Sequence, residues 1–310
     1  MKPGRIFITV LVLLGYFTQV SLAAPHSLPG DEQAEYRSLL PFIMFNYTQG
    51  PGSVTGVVFD ATKPGRQGVE NVKVCYETVC MTTGSDGAYQ LDNIPDGLRQ
   101  IHAEALELFF PAEEAVAIRP FETVQQDIAL VPKSGINDVF MRILLTWIET
   151  PTWPPEDAEN DLDAHLWLVA PEEPYHYEHI YSYFPDNGDC TTFPNACGEV
   201  DYRRGYGPET MAIQQLESTV YYFGVLNYNY PRPGVPEIVD LQAKVRVFQE
   251  DGVIFEAEIP TEGQGDFWYV FQITSDGVTH TLSKKNCIIT YDGTPGTHPE
   301  CPVEAPPGMK

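Results

Sequence analysis

The sequence has few basic residues for its number of acids. Eighteen lysines and arginines stand against 43 aspartates and glutamates, and the formal net charge is −25. A surface this acidic repels phosphate backbones, so we exclude nucleic acid as a partner. No run of five like charges occurs. We therefore interpret the acidity as a source of solubility outside the cell, with binding of a mineral or a polycation as the alternative.

Motifs of common catalytic sites are also missing. The chain has no G-x-S-x-G elbow, no H-E-x-x-H and no G-x-x-x-x-G-K-[ST] loop. Its many acids always allow a glycosidase-like carboxylate pair to be imagined, but no feature singles one out. We expect a protein that is not an enzyme.

Long apolar runs are missing after the N-terminal region. Residues 1–23 are typical of a signal peptide: Lys2 and Arg5 precede the apolar run Ile6–Tyr16, and small residues lead to cleavage after Ala23 or Ala24. The run is shorter than the roughly 20 residues that span a bilayer, although an uncleaved anchor is the alternative. We expect a secreted or cell-surface protein with no membrane span in the mature chain.

The mature chain has an even number of cysteines, which in an exported protein predicts disulfides. Their spacing favours three local pairs, each inside one predicted structural unit: Cys75–Cys80, Cys190–Cys197 and Cys287–Cys301. C-x-x-C spacing is absent, which makes a zinc ribbon improbable.

The region from Gly52 to Val131 has short β-type runs separated by turns. Val54–Phe59 is β-branched and aromatic, and Val72–Cys75 with Val79–Thr83 indicates a hairpin. An Asp86-Gly87 turn follows, in which Gly adopts positive φ and Asp caps the bend. This pattern predicts a small β-sandwich.

This region resembles the carboxypeptidase regulatory-like, or transthyretin-like, β-sandwich. The resemblance implies a non-catalytic module over residues 52–132, preceded by a leader, residues 24–51. The residues that carry it are Gly56–Asp60, Gly68-Val69, Val72–Val74, Thr82-Thr83, Asp86-Gly87, Tyr89 and Ile94–Gly97.

A second, larger β pattern follows. Asp251-Gly252 is a strong hairpin turn between two of its strands, and Glu209–Ser218 is interpreted as a short helix or turn. The predicted strands are Phe140–Trp147, Asp161–Val169, Val220–Leu226, Ala243–Gln249, Val253–Ile259 and Phe267–Ile273.

Five short segments of this region form a recognisable set of motifs: Leu145–Trp147, Asp161–Leu166, Pro171, Glu199–Asp201 and Gly205–Glu209. Through them the region resembles the YfaP-like domain, an exported family whose activity is not established. The resemblance implies a jelly-roll-like sandwich over residues 137–275. In the tail, residues 276–310, we expect a hairpin within Thr279–Tyr291. The fold class is therefore all-β, with two β-sandwich domains.

The strongest candidate site is acidic. Side chains alternate along a strand, so Asp161, Asp163 and His165 share one face, and the other face, which should be turned to the core, carries Leu162, Ala164, Leu166 and Leu168. Two like charges about 7 Å apart need a cation or hydrogen bonds. Ca²⁺ suits them because it takes six to eight oxygens in flexible geometry. Asp201 and Glu209, from the later motif, would complete the shell.

Other interpretations of these acids stay open. Arg203 or Arg204 would neutralise them by bidentate pairing, and Asp and Asn residues also cap turns. The spacing does not fit the 12-residue EF-hand loop. A transition metal at His165 is a weaker hypothesis, because a single His among carboxylates is a poor signal.

A second candidate site is aromatic. Tyr175, Tyr177 and Tyr181 alternate along one face of a strand-like run. Exposed aromatic rows stack against sugars or protein partners, although a packed sheet face is the alternative. We therefore expect a non-catalytic interaction module, stabilised by Ca²⁺, that recognises a polysaccharide or a surface protein. The alternatives are a structural component of an envelope, matrix or filament and, third, an unrecognised hydrolase.

Overall fold

A computed structural model describes residues 50–105, 107–135, 139–148, 160–169, 177–181, 190–191, 194–202, 207–291 and 300–301, without the side chain of Tyr177. The predicted signal peptide and almost all of the predicted leader lie outside these ranges. Within them, no helix is long and apolar enough to cross a membrane. Strands account for nearly all the regular structure described, which confirms the all-β class.

The first sandwich consists of two small sheets that face each other. In one sheet β1 lies between β4 and the short strands β7 and β8, and in the other the order is β3-β2-β5-β6. Over described residues 50–135 the strands are β1 (Gly52–Asp60), β2 (Lys73–Tyr76), β3 (Val79–Thr82), β4 (Ala88–Ile94), β5 (Gly97–Glu104), β6 (Ala112–Ile118), β7 (Thr123–Gln125) and β8 (Ile128–Leu130).

Alternating side chains build the core of this sandwich. Val54 and Val58 of β1 are buried against Tyr89 and Leu91 of β4, and Ile101 of β5 meets them from the opposite sheet. Period-two burial places these residues on the inner faces. The hydrophobic pattern that predicted strands here also determines which face is buried.

The Asp86-Gly87 turn has the geometry that the sequence indicated. Gly87 has a φ of +74°, and an added Cβ would lie 2.2 Å from the carbonyl oxygen of Val58. The amide of Ala88 donates to Oδ1 of Asp86 at 3.1 Å. The geometry of the turn therefore accounts for both Asp86 and Gly87.

The second sandwich packs two antiparallel sheets with the orders β11-β10-β14-β17-β18 and β12-β13-β9-β15-β16. A 3-10 helix, Ile238–Leu241, precedes β15. Its described strands are β9 (Met141–Thr146), β10 (Leu162–Val169), β11 (Tyr177–Ile180), β12 (Ala196–Val200), β13 (Glu209–Ile213), β14 (Val220–Asn227), β15 (Lys244–Gln249), β16 (Gly252–Glu258), β17 (Phe267–Ser275) and β18 (His280–Ile289).

The main core of this sandwich lies between the two sheets. Leu166 of β10, Phe223 of β14 and Trp268 of β17 meet Ile143 of β9 and Val245 of β15. A second cluster of buried apolar residues covers the opposite face of the β10 sheet, around Trp167, Phe267 and Tyr269. Around these three residues the sheet is therefore buried on both faces.

The two sandwiches share a buried cluster. Phe59 and Phe110 from the first pack with Leu144 and Phe248 from the second, and the rings of Phe110 and Phe248 lie 5.5 Å apart. Beside the cluster, Arg246 of β15 pairs with Glu114 of β6 at 3.1 Å. This contact joins the sandwiches through both apolar and charged side chains.

Three disulfides are present among the described residues, and their pairing is the one that the spacing predicted. Cys75 and Cys80 lie directly opposite each other in the β2–β3 pair. Cys190 joins Cys197 of β12, and Cys287 of β18 joins Cys301.

Two local predictions were wrong. Residues 209–213 form strand β13 instead of a helix or turn, because their backbone pairs on both sides, with β12 and β9. The region 279–291 contains one strand, β18, instead of a hairpin of its own. It pairs with β17 around a turn at Asp276–Thr279, so the hairpin partner precedes it in the chain.

Candidate metal centre

Trp147 connects the segments that lead into two strands of the second sandwich. Its indole Nε1 donates to the carbonyl oxygen of Asn160, just before β10, at 3.0 Å. Gly207, just before β13, packs on the indole so closely that a Cβ there would lie 2.7 Å from the ring. The starts of β10 and β13 are therefore brought together.

Glu209, the first residue of β13, reaches the edge of β10. Its Oε2 accepts a hydrogen bond from the backbone N–H of Ala164 at 2.6 Å. Pairing between β10 and β11 runs only from Leu166 to Val169, so the first part of β10 has no strand neighbour on that side among the described residues. The Glu209 side chain takes the place of that neighbour.

Three carboxylates meet at this position. Asp163, Asp201 and Glu209 each offer one oxygen, and these oxygens all lie within 4.8 Å of one another. Asp163 and Glu209 are buried and Asp201 is half-buried. The second oxygen of Glu209, Oε1, is buried and has no hydrogen-bond partner among the described residues, while the residue as a whole is only 3% exposed.

The electrostatics of Glu209 reflect this crowding. Burial raises the pKa of its carboxyl well above the usual range, and Asp163 raises it further. The hydrogen bond from Ala164 acts in the opposite direction, and Asp201 and Asp161 add smaller upward effects. The protein environment without a cation thus disfavours the charge on Glu209.

Two of the five predicted ligands lie outside this group. Asp161 is buried and close enough to influence Glu209, and its carbonyl oxygen accepts a hydrogen bond from the amide of Tyr228 at 3.1 Å. His165 is also buried, but its Nδ1 lies 2.7 Å from Nε2 of His179.

His165 belongs to an aromatic cluster. Its ring stacks on Trp167 at 5.3 Å and on Tyr181 at 5.8 Å. Burial and then the neighbouring His179 lower the pKa of His165 well below its usual value, and burial lowers the pKa of His179 to about 4. The predicted row of Asp161, Asp163 and His165 is buried, and aromatic side chains pack around its His165 end.

The predicted tyrosine row falls largely outside the described residues. Tyr175 and the side chain of Tyr177 belong to the undescribed part. Tyr181 is 37% exposed and lies 4.7 Å from the ring of His179. It therefore offers part of an aromatic surface while packing on the histidine pair.

Sequence reasoning did not single out two further polar residues near these segments. Asn227 is buried and pairs with Leu162 at the start of β10. Tyr202, next to Asp201, lies under the guanidinium of Arg66 from the first sandwich, with 5.4 Å between the guanidinium carbon and the ring centroid. Only long-range packing reveals this contact, so no local signal could have found it.

The geometry suits a hard cation. Three carboxylates within 4.8 Å of one another, from β10, from β13 and from the residue that follows β12, supply the oxygen ligands that such ions prefer. Sulfur ligands are lacking, because the described cysteines are all in disulfides. Imidazole is not part of the group either.

Neither a protein-family model nor a curated protein matches this sequence. Among solved structures, a protein of unknown function, SAV2460, has 19% identity and a TM-score of 0.37, over 51% of this chain and 93% of its own. A homologue of the telluride resistance protein TerD from Streptomyces coelicolor A3(2) has 14% identity and a TM-score of 0.38, over 50% and 93%. A putative carbohydrate binding protein from Bacteroides uniformis has 12% identity and a TM-score of 0.21, over 57% and 89%. Similarities this low carry no argument about function.

Proposed function

We propose that this protein is a non-catalytic binding module of the cell exterior whose second sandwich holds Ca²⁺ through Asp163, Asp201 and Glu209. The observation that carries the proposal is the meeting of three carboxylates within 4.8 Å, with Oε1 of Glu209 buried and without a hydrogen-bond partner among the described residues. Like charges this close and this buried repel strongly unless a cation lies between them.

Calcium fits this donor set better than a transition metal. It prefers carboxylate and carbonyl oxygens and tolerates irregular geometry, whereas zinc and copper sites use imidazole or thiolate. The imidazole of His165, the one histidine among the predicted ligands, is engaged with His179. Asp161 lies close enough to add negative charge to the site.

The external location and the binding role have separate support. Three disulfides are typical of oxidising compartments, and an excess of 25 negative charges favours solubility there. The ligand we propose is a polysaccharide or a surface protein, with Tyr181 as an exposed aromatic contact.

Melting curves with Ca²⁺ and with EDTA test the proposal. A ligand that binds only the folded state stabilises it by about 2.7 kcal/mol at one hundred times its Kd. We expect millimolar Ca²⁺ to raise the Tm of the oxidised chain, residues 24–310. We expect no such rise in Asp163→Asn or Glu209→Gln. Asp251→Asn, in the exposed β15–β16 turn, is the matched control and should respond like the wild type.

The sign of the effect in EDTA adds a second test. Glu209→Gln replaces a carboxyl whose charge is disfavoured by burial and by Asp163, so without Ca²⁺ the variant should melt at or above the wild-type Tm. If Glu209→Gln and Asp163→Asn are instead less stable by the same amount in both buffers, these carboxylates are internal structural partners. The calcium proposal is then wrong.

A further inference from the structure

A cavity of about 290 Å³ lies between the two sandwiches. Phe59, Arg66 and Ala115 line it from the first sandwich, and Trp147 and Gln242 line it from the second. Its size is near the lower limit for small-ligand pockets, and such pockets occur preferentially where domains meet. The lining includes none of the three carboxylates Asp163, Asp201 and Glu209.

Charged side chains of both signs surround the cavity, and most of them are paired. Arg66 pairs with Asp127 at 3.2 Å, and Arg246, behind the wall, pairs with Glu114 at 3.1 Å. Lys244 pairs with Glu256 at 3.3 Å, while Glu258 also borders the space. An anion would meet the carboxylates and a cation would meet Arg66 and Lys244. The wall therefore favours a neutral ligand.

The remaining lining combines hydrogen-bonding groups with apolar surface. Gln242 offers an amide, and Thr146 and Thr261 offer hydroxyls. Apolar surface comes from Ala115, Ala129, Ile148, Val239 and Ile259. A ligand that fits both kinds of surface carries several hydroxyls around a compact ring with C–H faces.

We propose that this cavity binds one neutral sugar residue of a glycan. The inference rests on the proposed binding function, because it names the ligand class that the module recognises. Arg66 contributes to the cavity wall and also contacts Tyr202, the neighbour of Asp201. Arg66 thus links the cavity wall to Tyr202, the residue next to Asp201.

A cavity-filling substitution provides the test. Ala115 is an exposed residue of β6 that borders the cavity, so Ala115→Trp fills the space without disturbing the core. Ala117→Trp is the matched control, because Ala117 is exposed on the same face of β6. Thr146→Val removes one lining hydroxyl at nearly constant shape. Melting curves establish that each variant is folded.

The probes are cellobiose, maltose and diacetylchitobiose, with digalacturonate as an acidic comparison. Binding to the oxidised chain is followed by calorimetry and by saturation-transfer NMR in Ca²⁺. We expect at least one neutral disaccharide to bind the wild type at millimolar concentration. Its affinity should fall at least tenfold in Ala115→Trp and severalfold in Thr146→Val, and should stay unchanged in Ala117→Trp.

Three outcomes would overturn the inference. They are the absence of binding by every neutral disaccharide, preference for digalacturonate, and binding that persists in Ala115→Trp. Stabilisation by Ca²⁺ without sugar binding would contradict only the sugar proposal and would still support the calcium site. Sugar binding at full strength in Ala115→Trp would support a binding module whose ligand lies elsewhere.

Discussion

The carboxyl of Glu209 is subject to two opposing effects: a hydrogen bond that favours its charge and a burial that disfavours it. Its Oε2 satisfies the N–H of Ala164 at the open edge of β10, which anchors the residue. Its charge is meanwhile buried beside Asp163 and Asp201, and burial with these neighbours raises its pKa. A bound cation would stabilise the charge on Glu209, because it reverses the sign of the local potential while the hydrogen bond to Ala164 stays intact.

The histidine pair predicts an acid sensitivity that is separate from calcium. Burial lowers the pKa of His179 to about 4, against 6.5 for an exposed histidine. Protons therefore bind the unfolded chain first, and stability falls as pH decreases from about 6.5 towards 4.

The contribution of His179 between pH 7 and pH 5 should be about 2 kcal/mol. The urea-unfolding free energy of His179→Gln should fall less over this range than that of the wild type. His280→Gln, in a half-buried histidine of β18, serves as the comparison. Parallel pH profiles for the wild type and His179→Gln would show that His179 is not kept neutral by the fold.

At the residue scale, the sequence predicted the carboxylates better than the histidine. Alternation along β10 placed Asp163 away from the leucines, and the later motif supplied Asp201 and Glu209, which the structure brings beside it. His165 follows the same alternation, but the fold covers that face with rings. Local periodicity states which side a residue faces, and it cannot state what covers that side.

At the scale of elements, strand prediction succeeded where apolar residues alternate with polar ones. It failed at β13, where all five residues are buried, because a short, wholly buried run shows no period. It also failed at the hairpin of β17 and β18, where the sequence does not specify which strand is the partner. The Cys75–Cys80 and Cys287–Cys301 pairs were predictable because each closes a short loop.

The disulfides should differ in their effect on stability. Cys287 and Cys301 are 14 residues apart, and Cys75 and Cys80 are 5 apart. Loop-closure entropy then gives about 3 kcal/mol for the first pair and about 2 kcal/mol for the second.

The Cys287–Cys301 pair also borders the aromatic cluster over β10, so its removal should expose apolar surface as well. Urea unfolding of the double Cys→Ser variants measures both losses. If removing Cys75–Cys80 lowered the unfolding free energy more than removing Cys287–Cys301, this ranking of the two disulfides would be wrong.

At the scale of the whole molecule, the shared cluster should make the sandwiches unfold together. Phe248→Ala removes a ring that packs on Phe110 and should cost about 3–5 kcal/mol. Because that loss lies at the contact between the sandwiches, calorimetry should show one transition in the wild type and two in the variant.

Phe223→Ala, inside the second core, is the control for Phe248→Ala. It should lose a similar free energy without weakening the contact between the sandwiches. Two transitions in the wild type would mean that the cluster does not couple them.

A calorimetric titration of the oxidised chain with Ca²⁺ is the most direct test of a calcium site formed by Asp163, Asp201 and Glu209. We expect one saturable site in the wild type and in Asp251→Asn. We expect the affinity to fall at least tenfold in Glu209→Gln and in Asp163→Asn. Saturable binding that is unchanged in both variants, or no saturable binding in the wild type, would contradict the calcium site.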